Sequence, residues 1–130
     1  MARGRKKTPT VLKEMQGTAR ARLGGAGTQT AALGFGGGPP NLTATEEYNG
    51  SSWTNGGNLT TARNALAGCG TTTAALAIGG NGPPTTVEEY NGSSWTNGVS
   101  LPASGGSEYS AGFGTQTAAV NAGGNGPPGS

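Results

Sequence analysis

Residues 46–53 read EEYNGSSW, and the same eight residues return unchanged at 88–95. A second element repeats in step with this one: GTQTAAL at 27–33 becomes GTTTAAL at 70–76 and GTQTAAV at 114–120. Self-similarity at a fixed period of roughly 20–50 residues indicates an array of repeated structural units. The rest of the chain can be aligned outward from these copies.

The alignment divides the chain into a leader and a repeat region. Residues 1–17 stand outside the pattern, and residues 18–130 form two full units and a partial one, at 18–60, 61–103 and 104–130. A period in the low forties is the size of a four-stranded propeller blade. We therefore expect one all-β domain of about two and a half four-stranded units.

The amino-acid composition makes a disordered chain the main alternative to folded repeats. Glycine accounts for 27 of 130 residues, and Leu, Ile, Val and Phe together for only 15, which is low for a packed core. Disordered tracts usually carry high net charge and lack aromatic residues at fixed positions. Here the net charge is +2, and Tyr48 and Trp53 recur in register as Tyr90 and Trp95. These features favour folded β-repeats.

The sequence lacks the residues that several kinds of chemistry require. Cys69 is the only cysteine, and the sequence contains no His and no Asp, so the usual zinc and calcium ligand sets and an internal disulfide are excluded. Cys69 aligns with Ala26 and Phe113 and has no histidine as a base, so we interpret it as a buried, inert thiol. We expect no enzymatic activity, no metal and no cofactor.

Membrane and export signals are also missing from the sequence. No apolar run is long enough to span a membrane, and residues 1–17 lack the apolar core of a secretory signal. We expect no membrane partner and no export.

The leader holds the basic charge of the chain, with a net +4 in residues 1–17. Its cluster Arg3, Arg5, Lys6 and Lys7 is either a mobile basic tail or a set of candidate nucleic-acid contacts. A short helix is expected after it, with Thr8 as cap and Gly17 at its end.

The leader motif RGRKKTPTVLK at 3–13 resembles the N-terminus of small terminase subunits of tailed phages. That resemblance implies DNA contact through the leader alone. It predicts that deleting residues 1–17 abolishes retention on DNA at low salt.

The second unit predicts four strands, at 63–69, 73–78, 86–90 and 94–96. Gly70-Thr71 is expected to form a tight turn, and Asn91-Gly92 a two-residue type I′ hairpin loop. Strand alternation places Leu76 and Ile78 on one face, which predicts burial of that face. Small residues on the other face would let a neighbouring sheet approach.

An apolar strand that ends in two glycines (AALAIGG, 74–80), a strand that ends in Tyr90, and Trp95 shortly after it resemble the kelch repeat. Arg63 in LTTAR at 59–63 also stands in the place of a frequent kelch arginine. The resemblance implies kelch-like β-propeller blades but says almost nothing about activity. The repeat-defining structural residues it implies are Gly36, Gly37, Tyr48, Trp53, Gly79, Gly80, Tyr90, Trp95, Gly123 and Gly124.

An incomplete propeller presents a difficulty, because closed propellers have about four to eight blades. About two and a half units leave open blade faces and an unpaired edge. We expect either a fragment of a longer propeller or a chain that self-associates through its open faces.

Three further patterns have alternative interpretations. The adjacent carboxylates at 46–47 and 88–89 point to opposite faces, so neither pair can act jointly on one bond, and we interpret them as solvated strand charges. The double glycines are strand-end turns rather than phosphate loops. The paired Tyr and Trp residues either pack between blades or form a glycan-binding surface, and the packing interpretation is favoured.

Together these patterns favour a non-enzymatic structural or binding module that contacts a protein or glycan surface. Its Gly/Thr/Asn-rich, nearly identical repeats resemble those of structural and appendage proteins of tailed phages, which implies a virion or host-contact role. The same resemblance implies a location in the virion or the host cytoplasm. The alternatives are a DNA-packaging accessory that binds DNA through its leader and a truncated remnant of a repeat gene.

Overall fold

The computed structural model describes residues 22–81, 85–102 and 108–124. These residues form ten strands and no helix, so the all-β expectation is confirmed. The strands are β1 (Gly24–Thr28), β2 (Ala31–Phe35), β3 (Thr45–Tyr48), β4 (Trp53–Asn55), β5 (Ala67–Thr71), β6 (Ala74–Ile78), β7 (Val87–Tyr90), β8 (Trp95–Asn97), β9 (Ala111–Gly114) and β10 (Ala119–Ala122). The leader with its expected helix lies outside the described residues.

The strands form three antiparallel sheets in which each strand pairs with its neighbours in sequence. Sheet I contains β1–β4, sheet II contains β5–β8, and sheet III contains β9 and β10. Sheets I and II share one register, so Tyr48 faces Trp53 across β3 and β4 as Tyr90 faces Trp95 across β7 and β8. Within the described ranges none of the sheets closes on itself.

The first strand of sheet II begins at Ala67, four residues later than the sequence predicts. The preceding segment bonds to the connection between β2 and β3 instead, because Arg63 N donates to Leu42 O at 3.1 Å and Gly37 N donates to Arg63 O at 2.8 Å. The expected turn at Gly70-Thr71 is also wrong. Both residues pair across the hairpin, and the turn lies at 72–73.

The loop between β7 and β8 has four residues, 91–94, so the expected two-residue type I′ loop is wrong. A type I′ turn needs positive φ at both central residues, whereas here Gly92 has a positive φ and Asn91 does not. Asn91 Oδ1 accepts hydrogen bonds from Ser93 N and Ser94 N, both at 2.9 Å. This local bonding holds the wider loop.

The first strands of the three sheets, β1, β5 and β9, pack against one another in that order. A glycine stands at the same position of each strand: Gly25, Gly68 and Gly112. A methyl group on Gly68 would collide with Gly25 O and would lie 2.5 Å from the Phe35 ring. The absent side chains thus let the backbones of successive sheets approach closely.

One position of each unit holds a non-glycine residue in the left-handed region: Arg22, Ala65 and Tyr109, with φ of 61°, 56° and 58°. Ala65 N donates to Arg22 O at 2.7 Å, and Tyr109 N donates to Ala65 O at 2.9 Å. A column of backbone hydrogen bonds therefore links the three units. The Arg22 guanidinium also lies 5.8 Å from the centre of the Tyr109 ring.

Two apolar clusters fill the spaces on either side of sheet II. Between sheets I and II, Leu33 and Phe35 meet Ala75 and Ala77, so large side chains of one sheet fit against small ones of the next. On the opposite face lies a second cluster of Ala67, Cys69, Leu76, Ile78 and Val87. The face of β6 with Leu76 and Ile78 is buried as expected, but burial is not confined to that face. Ala75 and Ala77 on the other face are also buried, because sheet II lies between two other sheets.

Candidate functional site

Tyr90 and Trp95 of sheet II are buried against sheet I. The Trp95 ring packs edge-on to Phe35, with 4.9 Å between ring centres. Its indole N–H donates to Thr45 Oγ1 at 3.0 Å. These two residues are contacts between sheets, and their burial removes them from any glycan-binding surface.

The equivalent residues of sheet I, Tyr48 and Trp53, have the same mutual arrangement. Their ring centres are 5.0 Å apart with an interplanar angle of 35°, compared with 4.8 Å and 38° for Tyr90 and Trp95. Tyr48 and Trp53 are only half-buried. The aromatic pair therefore takes its geometry within one sheet, before another sheet covers it.

The hydroxyl of Tyr90 joins sheet II to sheet I. It donates to Glu47 Oε2 at 2.6 Å and accepts from Gly57 N at 3.4 Å. Burial raises the pKa of Tyr90, and the hydrogen bond to the Glu47 carboxylate raises it further. Glu47 is thus fixed in position at the edge of the junction between the sheets.

Arg63 and Glu88 form an ion pair with side chains that are both 0% exposed. Arg63 Nη2 donates to Glu88 Oε2 at 3.0 Å, and Nη1 donates to the carbonyls of Gly79 and Thr86 at 2.7 and 2.9 Å. Glu88 Oε1 accepts from Thr60 N at 2.7 Å. Desolvation lowers the pKa of Arg63, and Glu88 opposes this shift.

The interpretation of the glutamate pairs as solvated charges is therefore wrong for Glu88, whereas its neighbour Glu89, on the opposite face of β7, is exposed. Burial of a carboxylate needs a partner charge, and Arg63 supplies it. The sequence carries a signal of this pairing, because an arginine and a glutamate recur at equivalent positions of the first two units, 26 residues apart as Arg20 and Glu46 and 25 apart as Arg63 and Glu88. Arg20 lies outside the described residues.

The double glycines follow β2, β6 and β10 directly, and all six glycines have positive φ. A methyl group on Gly36 would lie 2.7 Å from Arg63 O, and one on Gly80 would lie 2.6 Å from Asn64 O. At these two positions the backbone of the connecting segment passes directly over the strand end. Glycine at these positions allows both the positive φ of the turn and this close approach of the backbone.

Cys69 is buried in the cluster with Leu76 and Ile78. Burial raises the pKa of its thiol, which keeps the sulfur protonated at neutral pH. A protonated, buried sulfur is a poor nucleophile. The residue acts as an apolar side chain in the core.

A cleft of about 310 Å³ opens at the junction of sheets I and II, at the end of the sheets that carries the β1–β2 and β5–β6 turns. Its lining comprises Thr30, Ala31, Glu47, Tyr48, Asn49, Thr54 and, from sheet II, Thr72. This surface combines hydroxyl, carboxylate and amide groups with a similar share of apolar surface, and the lining contains no cationic side chain.

The junction of sheets II and III differs at the equivalent place. Gln116 of sheet III stands where Thr72 stands in sheet II. Its side-chain Nε2 donates to Ala75 O at 3.1 Å and to Tyr90 O at 2.8 Å. The three units have Gln29, Thr72 and Gln116 at this position. The structural effect of the difference becomes visible only when the sheets are stacked.

Sheet III carries an exposed apolar face. Phe113 and Val120 are 56% and 51% exposed, whereas their equivalents in sheet II, Cys69 and Leu76, are 6% and 7% exposed. In sheet II this face is covered by the next sheet. The described residues contain no such cover for sheet III.

Other candidate residues lie apart from these features. Arg3, Arg5, Lys6 and Lys7 fall outside the described residues. Across 22–81, 85–102 and 108–124 no cluster of His, Cys, Asp and Glu is large enough to hold a metal ion. In the same ranges no helix has the length and apolar character to cross a membrane.

No protein-family model matches this chain, and no curated protein matches it.

Proposed function

We propose that the chain is a non-enzymatic structural and binding module, a segment of a kelch-like propeller whose end sheets associate with those of a second copy of the chain. The observation that supports this most is the exposure of Phe113 and Val120 at positions where sheet II buries their equivalents. Burying a Phe or Val side chain contributes about 1.5–3 kcal/mol. A repeat protein with such an uncovered face gains stability by docking another repeat on it.

The opposite end of the chain offers the complementary face. Ala32, Tyr48 and Trp53 of sheet I are the equivalents of Ala75, Tyr90 and Trp95, the residues with which sheet II docks on sheet I. All three are half-buried, and the ring geometry of the aromatic pair is already that of the docked pair.

Gln29 adds a polar contact to the same face. It is exposed, and its equivalent in sheet III is Gln116, which bonds the backbone of the preceding sheet. The outer faces of sheets I and III thus carry the two halves of a junction that occurs twice among the described residues. Association through unlike faces is heterologous and joins copies head to tail.

The resemblance of the repeats to phage structural and appendage proteins supports a role for this assembly in the virion or in host contact. Repeated sheets with polar loops between them suit an extended surface that binds a protein or glycan partner. This part of the proposal rests on the sequence resemblance alone.

The experiment measures the mass of the full chain by light scattering during size-exclusion chromatography. Phe113→Asp places a charge on the sheet III face, and Ala32→Glu places one on the sheet I face. The wild-type chain is expected to form oligomers, and each single variant is expected to be monomeric. An equimolar mixture of the two variants should form dimers, because each variant retains the face that the other lacks.

A monomeric wild-type chain at high concentration contradicts the proposal, and so do variants that assemble as the wild type does. Dimers of either single variant alone would indicate a contact between like faces and would overturn the head-to-tail arrangement. Far-ultraviolet circular dichroism of each peak verifies that the variants keep their strands.

A further inference from the structure

The cleft between sheets I and II occupies the place that the Gln116 side chain fills at the next junction. Gln116 Nε2 bonds the carbonyls of Ala75 and Tyr90, which face each other across β6 and β7. The corresponding pair in sheet I is Ala32 and Tyr48, across β2 and β3.

Thr72 is too short to make the equivalent contact. Its hydroxyl is attached to Cβ, whereas the amide nitrogen of glutamine lies three bonds farther from the backbone than Cβ. The two hairpins otherwise match, since Gly70 and Gly114 precede the turns with φ of 105° and 119°. The shorter side chain thus accounts for an opening at one junction and a filled space at the other.

The chemistry of the lining selects the ligand. The hydroxyls of Thr30, Thr54 and Thr72 both donate and accept hydrogen bonds. Asn49 offers only its amide N–H groups, because its Oδ1 accepts from Ser51 and Ser52. Glu47 supplies a carboxylate held in place by the Tyr90 hydroxyl. An anion would meet this carboxylate without a compensating cation, and an apolar ligand would leave the polar lining unpaired.

Tyr48 does not place its ring in the cleft. Glu47, its neighbour on β3, reaches Tyr90 of sheet II, so the Tyr48 side chain points to the opposite face of sheet I, where it packs against Trp53. A ligand in the cleft therefore meets mainly hydroxyl and carboxylate groups, and the hydroxyls of a sugar match them.

We propose that this cleft binds one unit of a neutral glycan, whose hydroxyl groups bond the Glu47 carboxylate and the threonine hydroxyls of the lining. The ligand takes the place of the Gln116 amide at the second junction. The cleft volume of about 310 Å³ is at the lower end of the range for small-molecule sites, as a single sugar requires. The inference does not depend on the proposed self-association, because the cleft lies between sheets of one chain.

The test is a titration of the full ¹⁵N-labelled chain with glucose, galactose and N-acetylglucosamine, followed by the amide signals of residues 30, 48 and 72. Glycerol serves as a polyol control. At least one sugar is expected to shift these signals in a saturable manner, and glycerol is not. Thr72→Gln should fill the cleft and weaken binding by about tenfold or more, the effect of losing one to two hydrogen bonds.

Two further variants complete the design. Thr73→Gln makes the same change at the neighbouring exposed turn residue, outside the cleft lining, and should leave the affinity unchanged. Gln116→Thr should open a second cleft and add shifts at residues 75 and 90. Absence of shifts with all three sugars, equal shifts with glycerol, or full binding by Thr72→Gln would each overturn the proposal.

Discussion

Arg63 Nη2 lies 3.0 Å from Glu88 Oε2, and neither side chain has any exposure to solvent. The backbone of Arg63 bonds to Leu42 and Gly37 of the first unit, while its side chain enters sheet II. One residue thus bonds the backbone of one unit and the interior of the next. The pair is consequently a contact between units as well as a buried charge pair.

Glu88→Gln should leave the Arg63 charge buried without its partner and lower the free energy of unfolding by about 3–5 kcal/mol. The double variant Arg63→Met/Glu88→Met should be more stable than Glu88→Gln, because no charge remains to be desolvated. Urea unfolding, monitored by tryptophan fluorescence, measures both. Glu89→Gln is the matched control on the exposed face of the same strand and should change stability by about 0.5 kcal/mol or less.

Stability should fall in alkaline solution. The pKa values of Cys69 and Tyr90 are raised in the folded protein, so the folded state holds these protons more tightly than the unfolded chain does. The contribution of each is complete below the unfolded-state pKa, 9.0 for Cys69 and 10.0 for Tyr90, and is lost as pH rises through the folded-state value.

Urea unfolding across this pH range tests the prediction. Cys69→Ala should remove the part of the decline that begins near pH 9.0, and Tyr90→Phe the part that begins near 10.0. An unfolding free energy that stays level or rises above these values would contradict the assignment. Each variant needs its own measurement at neutral pH, since each also changes packing.

Gly68→Ala should be destabilising by about 1–3 kcal/mol, the usual cost of overpacking a well-packed interior. The added methyl meets the backbone of Gly25, which has no room to move within β1. Gly25→Ala is the control, because its methyl would have only an ordinary contact, 3.4 Å from Leu33 O. Equal melting temperatures for the two variants would show that β1 and β5 are not packed as described.

Ala65→Val should destabilise the protein, and Ala65→Gly should be the more stable of the two variants. Ala65 has a φ of 56°, a conformation that costs about 1–2 kcal/mol for residues with a Cβ and more for a branched one. Glycine removes this cost but also one buried methyl group. Thermal unfolding of both variants measures the difference, and a Val variant as stable as the Gly variant would exclude the left-handed conformation.

The number and order of strands in each full unit could be predicted from the sequence, because turn signals recur with the repeat. The start of β5 could not be predicted. Residues 63–69 (RNALAGC) have the side-chain alternation of a strand, but Arg63 at their start bonds to Leu42 and Gly37 of the first unit. The β7–β8 loop was mispredicted because Asn91 bonds two nearby amides and holds four residues in the loop.

The features of the candidate site were less accessible from sequence. Two adjacent glutamates look alike in the sequence, and only the position of Arg63 shows that Glu88 is buried and Glu89 exposed. Cleft formation depends on the length of one side chain in the turn between the first two strands of a sheet. Gln116 is long enough to reach the preceding sheet, and Thr72 is not. Such a difference has no visible consequence until the sheets are stacked.

The hydrogen bonds from Ala65 N to Arg22 O and from Tyr109 N to Ala65 O join the units without the use of any side chain. A connection made only by the main chain places no demand on the surface residues of the units it joins. Units joined in this way can be exchanged, and their loops can change in sequence while the backbone hydrogen bonds between units stay the same. A gene of this kind can acquire new surface specificities by duplicating and exchanging whole units, and a protein engineer could lengthen the array by the same route.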